Sequence, residues 1–266
     1  MQRDGVRTYK ARRGRMSASK ADALTRLRPA FGVPVDGRPL DLAALFGRTA
    51  PVVLEIGSGM GEATARMAAD DPGRDVLAVE VHTPGVATLL ELVEAGGLRN
   101  VRVAEGDALV VLRDMLALEA LDEVRVLFPD PWPKARHAKR RLIRPDVVEL
   151  LASRLRPDGV LHLATDSAAY AEQAIEAVTR SPLLDGGARA RPALRPVTRF
   201  EQQALDAGRT AVDVVAVRQP GGATMATSST CSVIGNRSNA RSEPSAQPAS
   251  SSTRRSRAND AGSHAT

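Results

Sequence analysis

From residue 52 to residue 217 the chain repeats one pattern, a short apolar run that stops near an acid or glycine and then a helix-compatible segment. Val52-Val53-Leu54-Glu55-Ile56 is the first run, followed by a helical stretch from Gly61 to Ala69. Val76-Leu77-Ala78-Val79-Glu80 precedes a helix from about Pro84 to Ala95, and Val101-Arg102-Val103 and Val124-Arg125-Val126-Leu127-Phe128 are further strands. Pro145 opens a helix with Val147, Val148, Leu151 and Leu155 on one face, and Pro157-Asp158-Gly159 stops it. Val160 to Thr165 returns as a strand, a helix runs to about Thr179, and Val212 to Val217 closes the pattern. Such alternation implies right-handed crossovers and an α/β fold with a mostly parallel sheet covered by helices on both faces. Ligands bind such sheets beyond the carboxyl ends of the strands, so the residues after each strand are the candidates for chemistry.

The 266 residues accommodate one such domain with extensions. Residues 1–30 lack a sustained apolar period, contain Arg12-Arg13-Gly14-Arg15, and read as a basic flexible arm before a folded body over 31–218. Residues 219–266 hold eleven serines and almost no large apolar side chains. They bury too little surface to offset chain entropy, so a disordered Ser/Ala/Arg-rich tail is expected. The net charge of +6 divides into +7 over residues 1–28, +3 over 219–266 and −4 over the body between. Within that acidic body, residues 134–144 carry six cations and no acid. A block of this kind suggests an anionic partner, although a solvated basic loop has the same composition. The single cysteine, Cys231, excludes an intramolecular disulfide and a multi-cysteine zinc site. His82, His137, His162 and His264 have no metal-ligand spacing, so no metal is expected. No apolar run approaches the roughly 18 residues that span a bilayer, and none follows the basic N-terminus as in a secretory signal. A soluble cytoplasmic protein without a membrane partner is the expectation.

The first strand leads into Gly57-Ser58-Gly59-Met60-Gly61. A dinucleotide fingerprint needs a small residue at position 62, where Glu62 stands. A phosphate-binding P-loop would continue with Lys-Ser/Thr, and a nucleophile elbow would flank Ser58 with glycines; neither pattern is met. Acids stand at the ends of this strand and the next three: Glu55, Glu80, Asp107 and Asp130. They would repel a pyrophosphate and suit a ligand that carries an ammonium, a sulfonium and ribose hydroxyls, as S-adenosylmethionine does. Glu80 lies 19 residues beyond Gly61, about where an acid accepts hydrogen bonds from a ribose. A glycine turn with acids capping helix N-termini is the structural alternative.

Phe128-Pro129-Asp130-Pro131-Trp132-Pro133-Lys134 follows the fourth strand. The prolines fix the backbone around Asp130. Trp132 either stacks on a base or packs against its own loop. Lys134, Arg136, Lys139, Arg140, Arg141 and Arg144 form a stripe suited to phosphates. Taken with Glu80-Val81-His82-Thr83-Pro84-Gly85-Val86, Ala164-Thr165-Asp166 and Thr198-Arg199-Phe200-Glu201, the segment resembles the signature of the bacterial tRNA (guanine-N7-)-methyltransferases of the TrmB type. The likeness covers about residues 30–218.

This resemblance implies a class I S-adenosylmethionine-dependent methyltransferase fold with a Rossmann-like, mostly parallel, seven-stranded sheet, present as a monomer or homodimer. It implies methylation of N7 of guanine 46 in the tRNA variable loop. It further implies donor binding by Glu55, Gly57, Gly59, Gly61, Glu80, Asp107 and Asp130, with Asp130 as the catalytic acid. Lys134, Asp166, Thr198, Arg199, Phe200 and Glu201 match substrate-binding positions, and Arg136, His137, Ala138, Lys139, Arg140 and Arg141 an RNA-contacting segment. The chain departs from the family at Arg199, where lysine is usual, and at Gln203-Ala204, where Arg-Gly is usual. Three other readings stay open on the residues: a nicotinamide dehydrogenase, an RNA-binding protein without activity, and a methyltransferase for another substrate.

Overall fold

The computed structural model describes residues 8–9 and 16–221. The strands are β1 (Gly32–Pro34), β2 (Val52–Ile56), β3 (Asp75–Glu80), β4 (Val101–Glu105), β5 (Leu121–Leu127), β6 (Leu155–Thr165), β7 (Leu184–Arg189) and β8 (Val212–Arg218). They form one sheet in the order β1-β4-β3-β2-β5-β6-β8-β7. All neighbouring pairs are parallel except the two made by β8. The expected α/β class and its doubly covered sheet are present, with eight strands where seven were expected; the extra one is the three-residue edge strand β1.

The helices are α1 (Ala18–Phe31), α2 (Leu42–Phe46), α3 (Glu62–Asp70), α4 (Thr83–Ala95), α5 (Ala108–Val110, continuing as a π turn to Met115), α6 (Pro145–Arg154), α7 (Ala168–Arg180) and α8 (Arg199–Asp206). The two-residue period of a strand sends alternate side chains to opposite faces. Val53, Val76, Ala78 and Val101 therefore meet Ala68 of α3 and Val86, Leu89 and Leu90 of α4 on one face. Leu54, Leu77, Val124 and Leu161 meet Val148 and Leu151 of α6 and Tyr170 and Ala174 of α7 on the other. Burial on both faces explains why the central strands read as unbroken apolar runs.

Two expectations are corrected. Within the arm foreseen over residues 1–30, residues 18–31 form α1, N-capped by the Ser17 hydroxyl, which accepts from the Lys20 amide at 3.3 Å. Its Ala23 and Leu27 lie one turn apart and pack with α4, while Arg26 and Arg28 pair with Glu94 and Glu105. Two buried positions are too few to make an apolar period. Leu155, expected to end α6, instead opens β6 opposite Leu121, and the β5–β6 register shifts between Leu121 and Glu123. Residues 1–7 and 10–15 of the expected arm, and 222–266 of the expected tail, lie outside the described residues. No described helix is long and apolar enough to cross a membrane.

Candidate active site

The parallel strands bring their carboxyl ends to one edge, and there a cavity of about 650 Å³ opens. Its wall includes Glu55 from β2, Gly57 and Gly59 from the loop after it, Glu80 from β3, Asp107 after β4, and Phe128, Pro129 and Asp130 after β5. The segment Pro196 to Phe200 closes the opposite side, and Thr8 and Tyr9 also reach it. Residues as distant in the chain as Gly57 and Asp130 thus converge because each follows a strand of the same sheet.

The glycine loop is set by close approach. Gly61 has φ +85°, and a Cβ there would lie 2.6 Å from the Leu89 Cβ, so it lets α3 start hard against α4. Gly61 does not line the cavity among the described residues; Gly57 and Gly59 do. The Glu80 carboxylate fastens the loop. Its Oε2 accepts from the Gly59 amide at 2.7 Å and its Oε1 from the Val81 and His82 amides at 2.7 and 2.8 Å. Ionised carboxylates have about four acceptor positions, so Glu80 retains capacity on Oε2 toward the cavity. Asp107 caps α5 by accepting from the Leu109 amide at 2.9 Å.

Glu55 differs from the other acids. It is 2% exposed, and its Oε2 is buried without a hydrogen-bond partner. Burial pushes its carboxyl above the usual carboxylate range, against a downward pull from Arg125. A buried acceptor left unpaired costs free energy until a donor reaches it. The site therefore presents the chemistry of a cation or N–H receptor: an unmatched carboxyl oxygen at its floor, two glycines beside it and further acids on the rim.

Asp130 sits in a strained loop. Phe128 and Trp132 both adopt left-handed φ, 54° and 42°, which cost side-chain residues energy and mark sites where the surroundings over-determine the backbone. The Trp132 ring is 6% exposed. It lies under the Arg140 guanidinium at 5.0 Å, meets the His137 ring edge-on at 5.7 Å and donates from Nε1 to the Thr8 carbonyl at 3.3 Å. Of the two readings for Trp132, packing against its own loop is the one observed.

The basic stripe begins a 3₁₀ turn over Ala135–Arg140. Lys134, Arg136, Lys139 and Arg140 are exposed, while His137 and Ala138 are half-buried. Arg141 is turned inward: its Nε donates to the Pro131 carbonyl at 2.9 Å, its Nη1 to Gln173 at 2.6 Å, and it lies over the Tyr170 ring. It braces the segment and does not present its charge to an outside ligand.

Among the residues matched to substrate binding, Thr198, Arg199 and Phe200 line the cavity, whereas Lys134, Asp166 and Glu201 do not. Asp166 accepts from Arg209 Nε and Nη2 at 3.0 Å. Glu201 is buried and grasped by Arg195 at 2.5 and 3.1 Å; the same guanidinium donates twice to Asp213 at 2.7 Å and lies over the Phe128 ring. Asp213 in turn meets His162 Nε2 at 2.7 Å. Burial opposes the Asp213 charge, but His162 and Arg195 outweigh it and hold the carboxyl below its ordinary range. Sequence reading missed Arg195, which fixes the Pro196–Phe200 wall, and missed Arg125 beneath Glu55. The available signal for Arg125 was the intrusion of Glu123 and Arg125 into an otherwise apolar central strand. No described group of three or more His, Cys, Asp or Glu side chains could hold a metal ion.

A family described as "Putative methyltransferase" (Methyltransf_4) matches residues 49–214. The tRNA (guanine-N(7)-)-methyltransferase of Streptomyces avermitilis is 54% identical over 215 residues, 79% of this chain and 74% of that protein. The protein of the same name from Streptomyces coelicolor is 53% identical over 216 residues, 79% and 80% of the two chains. That of Nitrosomonas eutropha is 46% identical over 213 residues, 79% and 95%.

Proposed function

The chain belongs to the tRNA (guanine-N(7)-)-methyltransferase family, and from that premise we propose that its acid-lined cavity binds S-adenosylmethionine and that its target is guanine 46 of the tRNA variable loop. The protein is an enzyme, and N7 of a guanine in tRNA is its acceptor. The observation that carries the donor assignment is the unpaired, buried Oε2 of Glu55 at the floor of the cavity. When bound, S-adenosylmethionine supplies an electrophilic methyl group on a sulfonium centre. Glu55 receives the donor's ammonium, Glu80 offers its remaining acceptor capacity to a ribose hydroxyl, and Gly57 and Gly59 let the backbone approach without a Cβ. Asp107 contributes a further negative charge to the rim.

N7 of guanine carries a lone pair and no proton, so no residue has to act as a base at that atom. The chain's contribution is to position the two reactants and to stabilise charge as it develops. Asp130, held by its flanking prolines and the strained φ angles on either side, faces the cavity where positive charge spreads through the base. Its carboxylate orients the guanine edge and supports that charge. Thr198, Arg199 and Phe200 form the wall against which the base rests. Lys134, Arg136, Lys139 and Arg140 meet phosphates of the tRNA backbone, while Arg141 and Glu201 hold the machinery in place. A tRNA substrate puts the protein in the cytoplasm.

Incubation with unmodified tRNA and methyl-labelled S-adenosylmethionine, followed by mapping of the label, tests this reading. Label is expected as 7-methylguanosine at position 46. Label at another base, or none, contradicts it.

A further inference from the structure

Glu55 is the central anion of the donor site, yet it is buried where ionisation is costly. Its register partner on β5 is Arg125, and the register partner of Arg125 on β6 is His162. These three side chains form a row across β2, β5 and β6 on the face that packs under α3, with neighbouring strands about 4.8 Å apart. Arg125 is 6% exposed, and its Nη1 lies 3.5 Å from the Met67 Sδ of α3. It is too deep to serve as a surface cation. Two residues along the same strand face, Glu123 accepts from Arg125 Nε and Nη2 at 2.6 and 3.0 Å. Arg74, at the outer edge, donates to Glu123 at 2.7 Å and also pairs with Asp71 at 3.3 Å.

This arrangement is more than one buried ion pair. Arg74 shares Glu123 with Arg125 from the solvent side, so the pair belongs to a larger charged cluster. The charged groups facing Glu55 are Arg125 and Glu123 on β5 and Glu80 on β3. His162 is tied to Asp213 and does not compete for the carboxyl. Of the groups facing Glu55, Arg125 is the one cation that favours the carboxylate, with a smaller pull from the Thr64 hydroxyl; burial, Glu123 and Glu80 favour its protonated form.

We propose that Arg125 is a positioning residue for methyl-donor binding: its buried guanidinium, on the register partner of Glu55, favours the carboxylate form with which Glu55 receives the donor's ammonium. The inference rests on the donor assignment above. It also gives a reason for a charged pair in a central strand, where an apolar pair would be less costly to bury.

The test is the pH profile of S-adenosylmethionine affinity, measured by titration calorimetry between about pH 5.5 and pH 8 on the full chain and on Arg125→Gln and Arg125→Lys. Without the cation the Glu55 carboxyl titrates higher. Arg125→Gln is therefore expected to lose about tenfold in affinity at neutral pH for each pH unit by which that titration moves above it, to recover as pH rises, and to release more protons on binding. Arg125→Lys is expected to keep the wild-type profile. An equal loss at every pH would reduce Arg125 to a packing role and overturn the proposal, as would an unchanged affinity. Should Arg125→Gln fail to fold, Glu123→Gln is compared with the double variant Arg125→Gln/Glu123→Gln, which buries neither charge. The double variant's profile is expected to lie at higher pH than that of Glu123→Gln, and coincident profiles overturn the proposal. Failure of the wild-type protein to bind the donor at any pH would instead remove the donor assignment itself.

Discussion

Glu55 and Asp130 carry the largest consequences at the scale of single residues. Because burial raises the Glu55 carboxyl above its unfolded value, the folded donor-free protein holds a proton there that the unfolded chain has already lost. Its stability should therefore fall as pH rises from the ordinary carboxylate range through the raised one. Glu55→Gln, which has no charge to bury, should flatten that slope in urea denaturation while abolishing donor binding; a slope unchanged by the substitution would show that Glu55 does not titrate there. Asp130→Ala should lower turnover by roughly a hundredfold, the scale of one lost transition-state contact, with donor affinity changed only a few-fold. Near-wild-type turnover would remove Asp130 from the mechanism. These acids were legible because each stands at the carboxyl end of a strand, Glu55 within β2 and Asp130 just after β5. Arg141, Asp166 and Glu201 were not: nothing in their spacing discloses that Gln173 and the Pro131 carbonyl, Arg209, and Arg195 respectively engage them.

Among the elements, β2 and β3 were read almost to the residue, since strands buried on both faces show as continuous apolar runs, whereas β5 and β6 begin before the apolar runs at Val124 and Val160 that marked them. The edges were not. β1 is three residues long, and β7 reads Leu184-Asp185-Gly186-Gly187-Ala188-Arg189, a turn-like composition. Gly186 is there because β8 comes close: a Cβ would stand 2.2 Å from the Val215 carbonyl. α8 has only Glu201 and Ala204 buried, and its place against the sheet depends on Arg195. Replacing Arg195 with Met leaves Glu201 and Asp213 buried without their cation, so unfolding in urea should show a loss of about 3–5 kcal/mol. Amide exchange should accelerate over Thr198 to Phe200 in the same variant. A loss below about 1 kcal/mol would mean that the wall is held by other contacts.

For the molecule as a whole, the distribution of charge describes how a polynucleotide is gripped beside an acidic cavity. Four exposed cations, Lys134, Arg136, Lys139 and Arg140, project from one segment after β5. If each meets a phosphate, the logarithm of tRNA affinity should fall against that of salt with a slope of about −3 to −4. Arg140→Ala should shallow that slope by about one, whereas Arg141→Ala should lower the melting temperature and leave the slope alone. The reverse pattern would contradict the placement of these two side chains. Cation row and cavity serve one reaction only if the acids at the strand ends hold the methyl donor. Calorimetric titration of S-adenosylmethionine into the protein, shown to be folded by circular dichroism, tests this most directly. One donor bound per chain, with binding lost in Glu55→Gln, is the predicted result; a folded protein that does not retain the donor, or a Glu55→Gln variant that binds it as well as the wild type, would contradict the account.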